Sequence, residues 1–267
     1  MVGRARRIFG QRRVGHAGTL DPDATGVLVL GLGRATRLLK YLTGLPKTYV
    51  GEVVLGVETS TLDAAGEVVA VHDMAGIGLD DVRAAALAFV GDIDQVPPMV
   101  SAVKVGGRRL HELARAGIEV ERSPRRVTVS RFDVVGPVEP GVFAVEVDCS
   151  SGTYIRTLAA DLGTSLGGGA HLRRLRRTAV GSFTVAEAVG LDDLGVGHVL
   201  PPAEALRGYA VEVVDPSVAA VVAHGAVLDK VWEGDGPWAV VDGEGRLLAV
   251  YELRPDGRVK PSVVMAG

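Results

Sequence analysis

The sequence predicts an α+β fold followed by a smaller β unit, on three observations. Alternating and helix-spaced apolar segments follow one another in mixed order up to about residue 207, without a regular strand–helix repeat. From about residue 208 the texture changes to short strands and tight turns. A chain of 267 residues with 47% apolar content is long enough for one large core and a small second one.

The elements follow in order. VLVLGL, residues 27 to 32, reads as a short buried strand, and ATRLLKYL after it has the apolar spacing of a helix. TYVGEVVLG alternates, with Tyr49, Gly51, Val53 and Leu55 on one face of a strand. DDVRAAALAFVG is an amphipathic helix, and QVPPMVSAVKVGGRRLHELARAG joins a proline-rich loop to a short basic helix. Strands follow at RRVTVSRFDVV and VFAVEVDCS. TYIRTLAADLG places Ile155, Leu158, Ala159 and Leu162 on one helical face. Beyond PPAEALRGY, turn signals at Asp242-Gly243 and Asp256-Gly257 separate the strands of the terminal unit.

Composition excludes several classes. No apolar run approaches the roughly 18 residues of a membrane span, and MVGRARRIFG lacks the apolar stretch of a secretory signal, so a cytoplasmic protein with no membrane partner is expected. The lone Cys149 can form neither an internal disulfide nor a structural zinc site, and VFAVEVDCS places it as a small buried apolar residue.

The net charge of −3 conceals segregation along the chain. Residues 1 to 61 carry nine Lys and Arg against four Asp and Glu, and residues 95 to 186 carry thirteen against eight. Residues 62 to 94 reverse this with one against seven, and residues 187 to 267 with six against thirteen. The arginines gather at Arg4, Arg6, Arg7, Arg12 and Arg13, at Arg108 and Arg109, at Arg122, Arg125 and Arg126, and at Arg173, Arg174, Arg176 and Arg177. Such clusters suit bidentate contacts to phosphate, and they predict RNA affinity that falls steeply with salt; solvated helix faces paired with nearby acids are the ordinary alternative.

GHAGTLDPDATG is the most chemically loaded stretch. Asp21 precedes Pro22, which pushes it into extended backbone and so restricts where its carboxylate points. Gly15 and Gly18 allow close backbone approach on the way in. The alternative is a turn in which Asp21 or Asp23 bonds only local amides. Gly31-x-Gly33-x-x-Thr36 lacks the third glycine of a dinucleotide fingerprint, and a tight strand-to-helix turn accounts for it.

If Thr153 caps the TYIRTLAADLG helix, Arg156 falls in the first turn, where the macrodipole disfavours a cation. An arginine there wants an anion, and Asp21 is a candidate partner. Tyr49 and Tyr154 are two of only five tyrosines, and an aromatic face beside basic clusters suits stacking on a nucleobase, with core packing the alternative for each.

GHAGTLDPDATGVLVLGLGRATRLLKYL, KTYVGEVVLG, QVPPMVSAVKVGGRRLHELARAG, SSGTYIRTLAADLG and GGAHLRRLRRTAVGSF, in this order, resemble the TruB family of tRNA pseudouridine synthases across roughly residues 4 to 200. The GHxGTLDPxATG block is highly specific to it. The resemblance implies a pseudouridine synthase fold, a mixed and mainly antiparallel central sheet flanked by helices, with a small PUA-like β domain at residues 208–267. It implies a catalytic domain over residues 1–207 in which residues 95–126 are an insertion that grips the T arm of tRNA. The activity it implies is conversion of uridine 55 in the tRNA T loop to pseudouridine, on a flipped base, without cofactor or metal.

Carried onto this sequence, Asp21 is the nucleophile, while Asp23 occupies a variable position. His16 matches a histidine beside the flipped uridine and its RNA surroundings, with a turn histidine bonded to backbone as the alternative. Tyr49 matches the tyrosine that stacks on the target base, Tyr154 a second pocket tyrosine, Arg156 the partner of the nucleophile, and Leu175 an apolar pocket wall. The order of steps stays open among attack on C1′, addition to C6 and elimination to a glycal. Val100 and His111 stand where tyrosines are frequent, which implies altered packing, and the acidic terminal unit must use local basic or backbone groups for any RNA contact.

Family members begin with a further strand and a Lys-Pro-x-Gly-x-Thr-Ser segment ahead of the helix that opens this chain. A start codon placed too late is the expectation; a chain without that strand would expose a sheet edge. Two other functions are weighed. One is an RNA-binding or RNA-folding module that keeps the T-arm grip with weak catalysis. The other is a glycosidase using Asp21 and Asp23, which fails because residues two apart cannot flank a sugar from opposite faces. A monomer is expected.

Overall fold

Where the sequence alternates, an antiparallel sheet forms, and where apolar residues recur every three to four positions, helices cover one of its faces. The computed structural model describes residues 1–101 and 103–265. The chain divides into two units, one of Met1–Thr19, Leu28–Gly44 and Gly181–Gly267, the other of Leu20–Val27 and Leu45–Val180.

The second unit holds strands β1 (Thr25–Gly26), β2 (Lys47–Leu55), β3 (Val57–Thr59), β4 (Val68–Val71), β5 (Gly91–Gln95), β6 (Arg125–Glu139), β7 (Val142–Cys149) and β8 (Ala170–Val180). It also holds helices α1 (Leu79–Leu87), α2 (Leu110–Arg115) and α3 (Ile155–Ser165). The main sheet runs β8-β2-β7-β6-β5 with every neighbour antiparallel, and β1 adds to β8 in parallel. β3 and β4 form a separate hairpin. The sheet is therefore mixed and mainly antiparallel.

Its core follows from the alternation. Val53 and Leu55 of β2, Val129, Phe132 and Val134 of β6, and Val145 and Val147 of β7 pack against Val82 and Ala86 of α1 and Leu158, Ala159 and Leu162 of α3. Each valine, leucine and phenylalanine among them contributes about 1.5–3 kcal/mol by leaving water. Cys149 is buried in the same cluster, and burial pushes its thiol up to about 11. Residues of opposite parity are polar: Arg131 reaches Glu146 at 2.5 Å, Asp148 at 2.7 Å and Asp133 at 3.0 Å. Hydrogen bonding from Arg131 holds the Asp148 carboxyl below the usual range.

Helix α3 lies unusually close to β8. A Cβ on Gly163 would stand 2.4 Å from the Ala170 backbone nitrogen, so only glycine permits this approach. Its N-cap is Tyr154, not Thr153, whose hydroxyl donates instead to the Ser150 carbonyl at 3.0 Å. The cap is displaced by one residue because Thr153 closes a local turn.

In the first unit, Val14–His16 pairs antiparallel with Leu30–Leu32. The strand expected over residues 27 to 32 is thus only three residues long. Its first residue turns elsewhere: the Val27 N–H donates to the Arg177 carbonyl at 2.8 Å. The helix expected after it begins as a 3₁₀ helix, Gly33–Leu38, and becomes α-helical at Leu39–Thr43.

The terminal strands β9 (Ala210–Val213), β10 (Leu228–Asp229), β11 (Trp238–Val241), β12 (Leu247–Leu253) and β13 (Arg258–Val264) form a sheet in the order β9-β11-β12-β13-β10. The Asp242 carboxylate accepts from the amides of Glu244 and Arg246, closing the turn expected there. One element was not expected, helix α4 (Pro216–Ala223), started by Asp215 accepting from the amides of Ser217 and Val218. Among the described residues, no helix is long and apolar enough to cross a membrane.

Candidate active site

Asp21 is presented by a short excursion of the chain. Its carbonyl accepts the Ala24 N–H at 3.0 Å, closing a turn around Pro22 and Asp23, after which β1 joins β8. The Asp21 side chain reaches Arg156, while Asp23 is exposed.

Arg156 stands in the first turn of α3 with its side chain 3% exposed, a buried cation at the positive end of a helix. Its surroundings supply the compensation. Nη2 donates to Asp21 Oδ1 at 3.0 Å and to the Val100 carbonyl at 2.8 Å, and Nη1 donates to the Thr61 carbonyl at 3.0 Å. Nε lies 2.8 Å from Asp21 Oδ2, as an ion pair without the alignment of a hydrogen bond.

A second carboxylate shares the guanidinium, since Asp63 Oδ2 lies 3.2 Å from Arg156 Nη1. Sequence reading passed over Asp63, although STLDAAG carried a turn signal. The turn is shaped by Leu62, which holds φ at +62°, left-handed backbone that costs a non-glycine residue about 1–2 kcal/mol. The loop is sewn to β8 through Leu172, whose N–H donates to the Leu62 carbonyl and whose carbonyl accepts the Ala64 N–H. Asp63 Oδ1 accepts from the Thr61 hydroxyl and the Ala65 N–H.

These groups border a cleft of about 250 Å³ lined by residues 21–24, 63–65, Arg156 and 172–175. Leu172 and Leu175 form the apolar side of its wall. Arg173 and Arg174 also line it and reach Glu52 at 2.7 and 3.2 Å. The arginine run of β8 is thus divided, with Arg174 and Arg176 exposed and Arg177 1% exposed.

Of the expected site residues, the cleft gathers Asp21, Arg156 and Leu175; Tyr49 and Tyr154 are not among its lining. Tyr49 sits on β2, opposite Arg177 of β8 and Val147 of β7. Burial pushes its phenol above the ordinary value, and the charge and hydrogen bond of Arg177 act against that rise. Tyr154 is held through its backbone: its N–H donates to Gln95 Oε1 at 2.9 Å, and its carbonyl accepts from Gln95 Nε2 at 3.2 Å. Gln95 is 1% exposed, and nothing in its local sequence announces this clasp. His16 belongs to the first unit, half-buried at the end of its strand, and its Nδ1 is buried with no hydrogen-bond partner among the described residues. The exposed Val100 contributes its carbonyl to Arg156; the side chain of His111 lies outside the described residues.

A half-buried carboxylate held by a buried guanidinium beside an apolar wall suits nucleophilic chemistry on a substrate with an apolar face. Among the described residues, no cluster of three or more His, Cys, Asp or Glu is placed to hold a metal ion.

Comparisons with known proteins agree in kind. Residues 6–155 match the family model described as TruB family pseudouridylate synthase, N-terminal domain, and residues 156–216 match that of the tRNA pseudouridylate synthase B C-terminal domain. The chain is 46% identical over 273 residues to the tRNA pseudouridine synthase B of Rhodococcus jostii, covering 99% of this chain and 88% of that one. It is 47% identical over 277 residues to that of Thermobifida fusca, covering 100% and 94%. Among solved structures, an H/ACA ribonucleoprotein bound to a substrate RNA containing 2′-deoxyuridine matches with a TM-score of 0.73 at 22% identity, covering 100% of this chain and 80% of the other. A Cbf5-Nop10-Gar1 complex matches with a TM-score of 0.73 at 25% identity, covering 100% and 79%.

Proposed function

We propose a reaction on the premise that the chain belongs to the TruB family of pseudouridylate synthases: it isomerises uridine 55 in the T loop of tRNA to pseudouridine. The observation that carries this is the Asp21–Arg156 pair at a cleft with an apolar wall. Tritium release from 5-tritiated uridine in a tRNA transcript tests it.

Pseudouridylation breaks the bond from N1 of uracil to C1′ of the ribose and makes one from C5 to C1′. The C5 proton is lost and N1 gains one, so nothing is consumed. In a duplex or folded loop the base must first leave its stack. Asp21 is the nucleophile in this reading, whether the route passes through C1′, C6 or a glycal. Arg156 orients its carboxylate, and Asp63 holds Arg156 from the other terminal nitrogen. Leu175 walls the cleft, Tyr154 closes on the base once the RNA is bound, Tyr49 stacks on the detached base as it turns, and His16 lies beside the flipped uridine. Residues 95–126 grip the T arm, where Arg122, Arg125 and Arg126 offer phosphate contacts.

The unaltered chain should release tritium, and Asp21→Asn should release none while still binding tRNA. Binding without release by the unaltered chain would replace the enzyme with an RNA-binding module. Equal release from both would overturn Asp21, and release from a transcript with cytidine at position 55 would overturn the assignment of that uridine.

A further inference from the structure

Arg177 is 1% exposed, yet it belongs to an arginine run whose exposed members suit phosphate. A guanidinium is not buried cheaply, so its contacts define what it does. Nε donates to the Val27 carbonyl at 2.8 Å, and the Arg177 carbonyl accepts the Val27 N–H at 2.8 Å. The same residue is in parallel register with Gly26, whose φ of +102° and absent Cβ let the two backbones touch: a Cβ there would stand 2.0 Å from the Arg177 carbonyl oxygen. Every one of these contacts ends on the segment that carries Asp21. On the opposite side, Arg177 faces Tyr49 of β2 in antiparallel register, where its charge and hydrogen bonding act against the rise that burial gives the phenol.

We propose that Arg177 is a positioning residue that ties the Asp21 segment to the strand bearing Tyr49, so that carboxylate and stacking ring keep one spacing while the base turns between them. This rests on the roles given above to Asp21 and Tyr49. The physical need is specific. During isomerisation the uracil is detached from its ribose, and the two groups that flank it must not drift apart. A backbone pair alone would leave the short β1 free to fray, whereas a guanidinium bonded to Val27 and set in register with Tyr49 resists rotation of either.

The test compares Arg177→Met, which keeps most of the buried volume, with Tyr49→Phe, which removes only the hydroxyl. For Arg177→Met the single-turnover rate should fall about 100-fold with tRNA affinity within about twofold, the signature of lost alignment. Amide exchange should accelerate over residues 20–27 and stay unchanged in α3. The double variant should be no slower than the slower single one, because both changes break one linkage. Arg177→Lys, which keeps a donor for Val27, should recover part of the rate.

A rate for Arg177→Met within about twofold of the unaltered chain would overturn the proposal, as would losses that multiply in the double variant. Should Arg177→Met not fold, Tyr49→Phe decides: unchanged exchange over residues 20–27 would overturn the linkage. The exchange arm needs no turnover. It therefore stands apart from the tritium assay, whose failure would sink the reading of the site.

Discussion

Asp63 Oδ2 lies 3.2 Å from Nη1 of Arg156, whose Nη2 holds Asp21 Oδ1 at 3.0 Å, so one buried guanidinium is shared by two carboxylates from separate loops. Asp63→Asn keeps the shape and removes the charge. The variant should lose about 1–3 kcal/mol of stability in urea unfolding, as for a hydrogen bond to a charged group. Its single-turnover rate should fall with little change in tRNA affinity. An unaltered rate would mean that Asp21 and the two backbone carbonyls suffice to orient Arg156.

The close approach of α3 to β8 carries its own prediction. In Gly163→Ala the new methyl meets the Ala170 nitrogen at 2.4 Å and the Gly169 carbonyl carbon at 2.5 Å, backbone atoms that cannot swing aside. Overpacking of this kind costs about 1–3 kcal/mol, and the helix that moves is the one bearing Arg156. Thermal unfolding should show the loss, with a parallel fall in rate. A melting temperature equal to that of the unaltered chain would show that the helix can shift without strain.

Lys47 supplies a pH dependence. Burial, helped by the nearby charge of Arg177, pushes its ammonium down to about 8, while Nζ donates to the Leu45 carbonyl at 2.6 Å. The folded pKa is below the unfolded one, so between about 8 and 10.5 the unfolded chain binds more protons and stability rises with pH. Below 8 both states are protonated and the cost of the buried charge is present in full. Lys47→Met lacks this rise. Urea unfolding at pH 7.5 and 9.5 should therefore find the variant losing ground to the unaltered chain at the higher pH; a constant difference would show that Lys47 keeps its proton across that range.

Much of this was legible beforehand. β2, β6, β7, α1 and α3 follow from their periodicities, because the same residues that alternate in the sequence meet in one cluster, whereas β1, β5 and β8 were not expected as strands. The need of Arg156 for an anion was readable from local physics, a cation at the wrong end of a helix, whereas the pre-proline constraint left Asp21 and Asp23 both open to a local turn and only the family motif selected Asp21. Asp63, Gln95 and Arg177 were not readable. Asp63 depends on a turn held by a left-handed Leu62, and Gln95 on its strand ending beside Tyr154. Arg177 was hidden by its neighbours, since four arginines in five residues read as surface until β1 closes over one of them. VLVLGL misled for a related reason. Its first residue bonds to Arg177 and its last three to Val14–His16, a division of partners that apolar content cannot express.

The segment Leu20–Val27 is an inclusion in the second unit whose flanks, Met1–Thr19 and Leu28–Gly44, are both counted in the first. No single cut therefore yields a gene fragment encoding the second unit with its carboxylate. A fragment starting at residue 45 would keep β2 to β8, Arg156 and Arg177 yet lack β1 and Asp21, whereas one starting at residue 20 would have to carry Leu28–Gly44 as well. For recombination between relatives, crossovers between residues 22 and 45 would separate Asp21 from the scaffold that holds its partner Arg156.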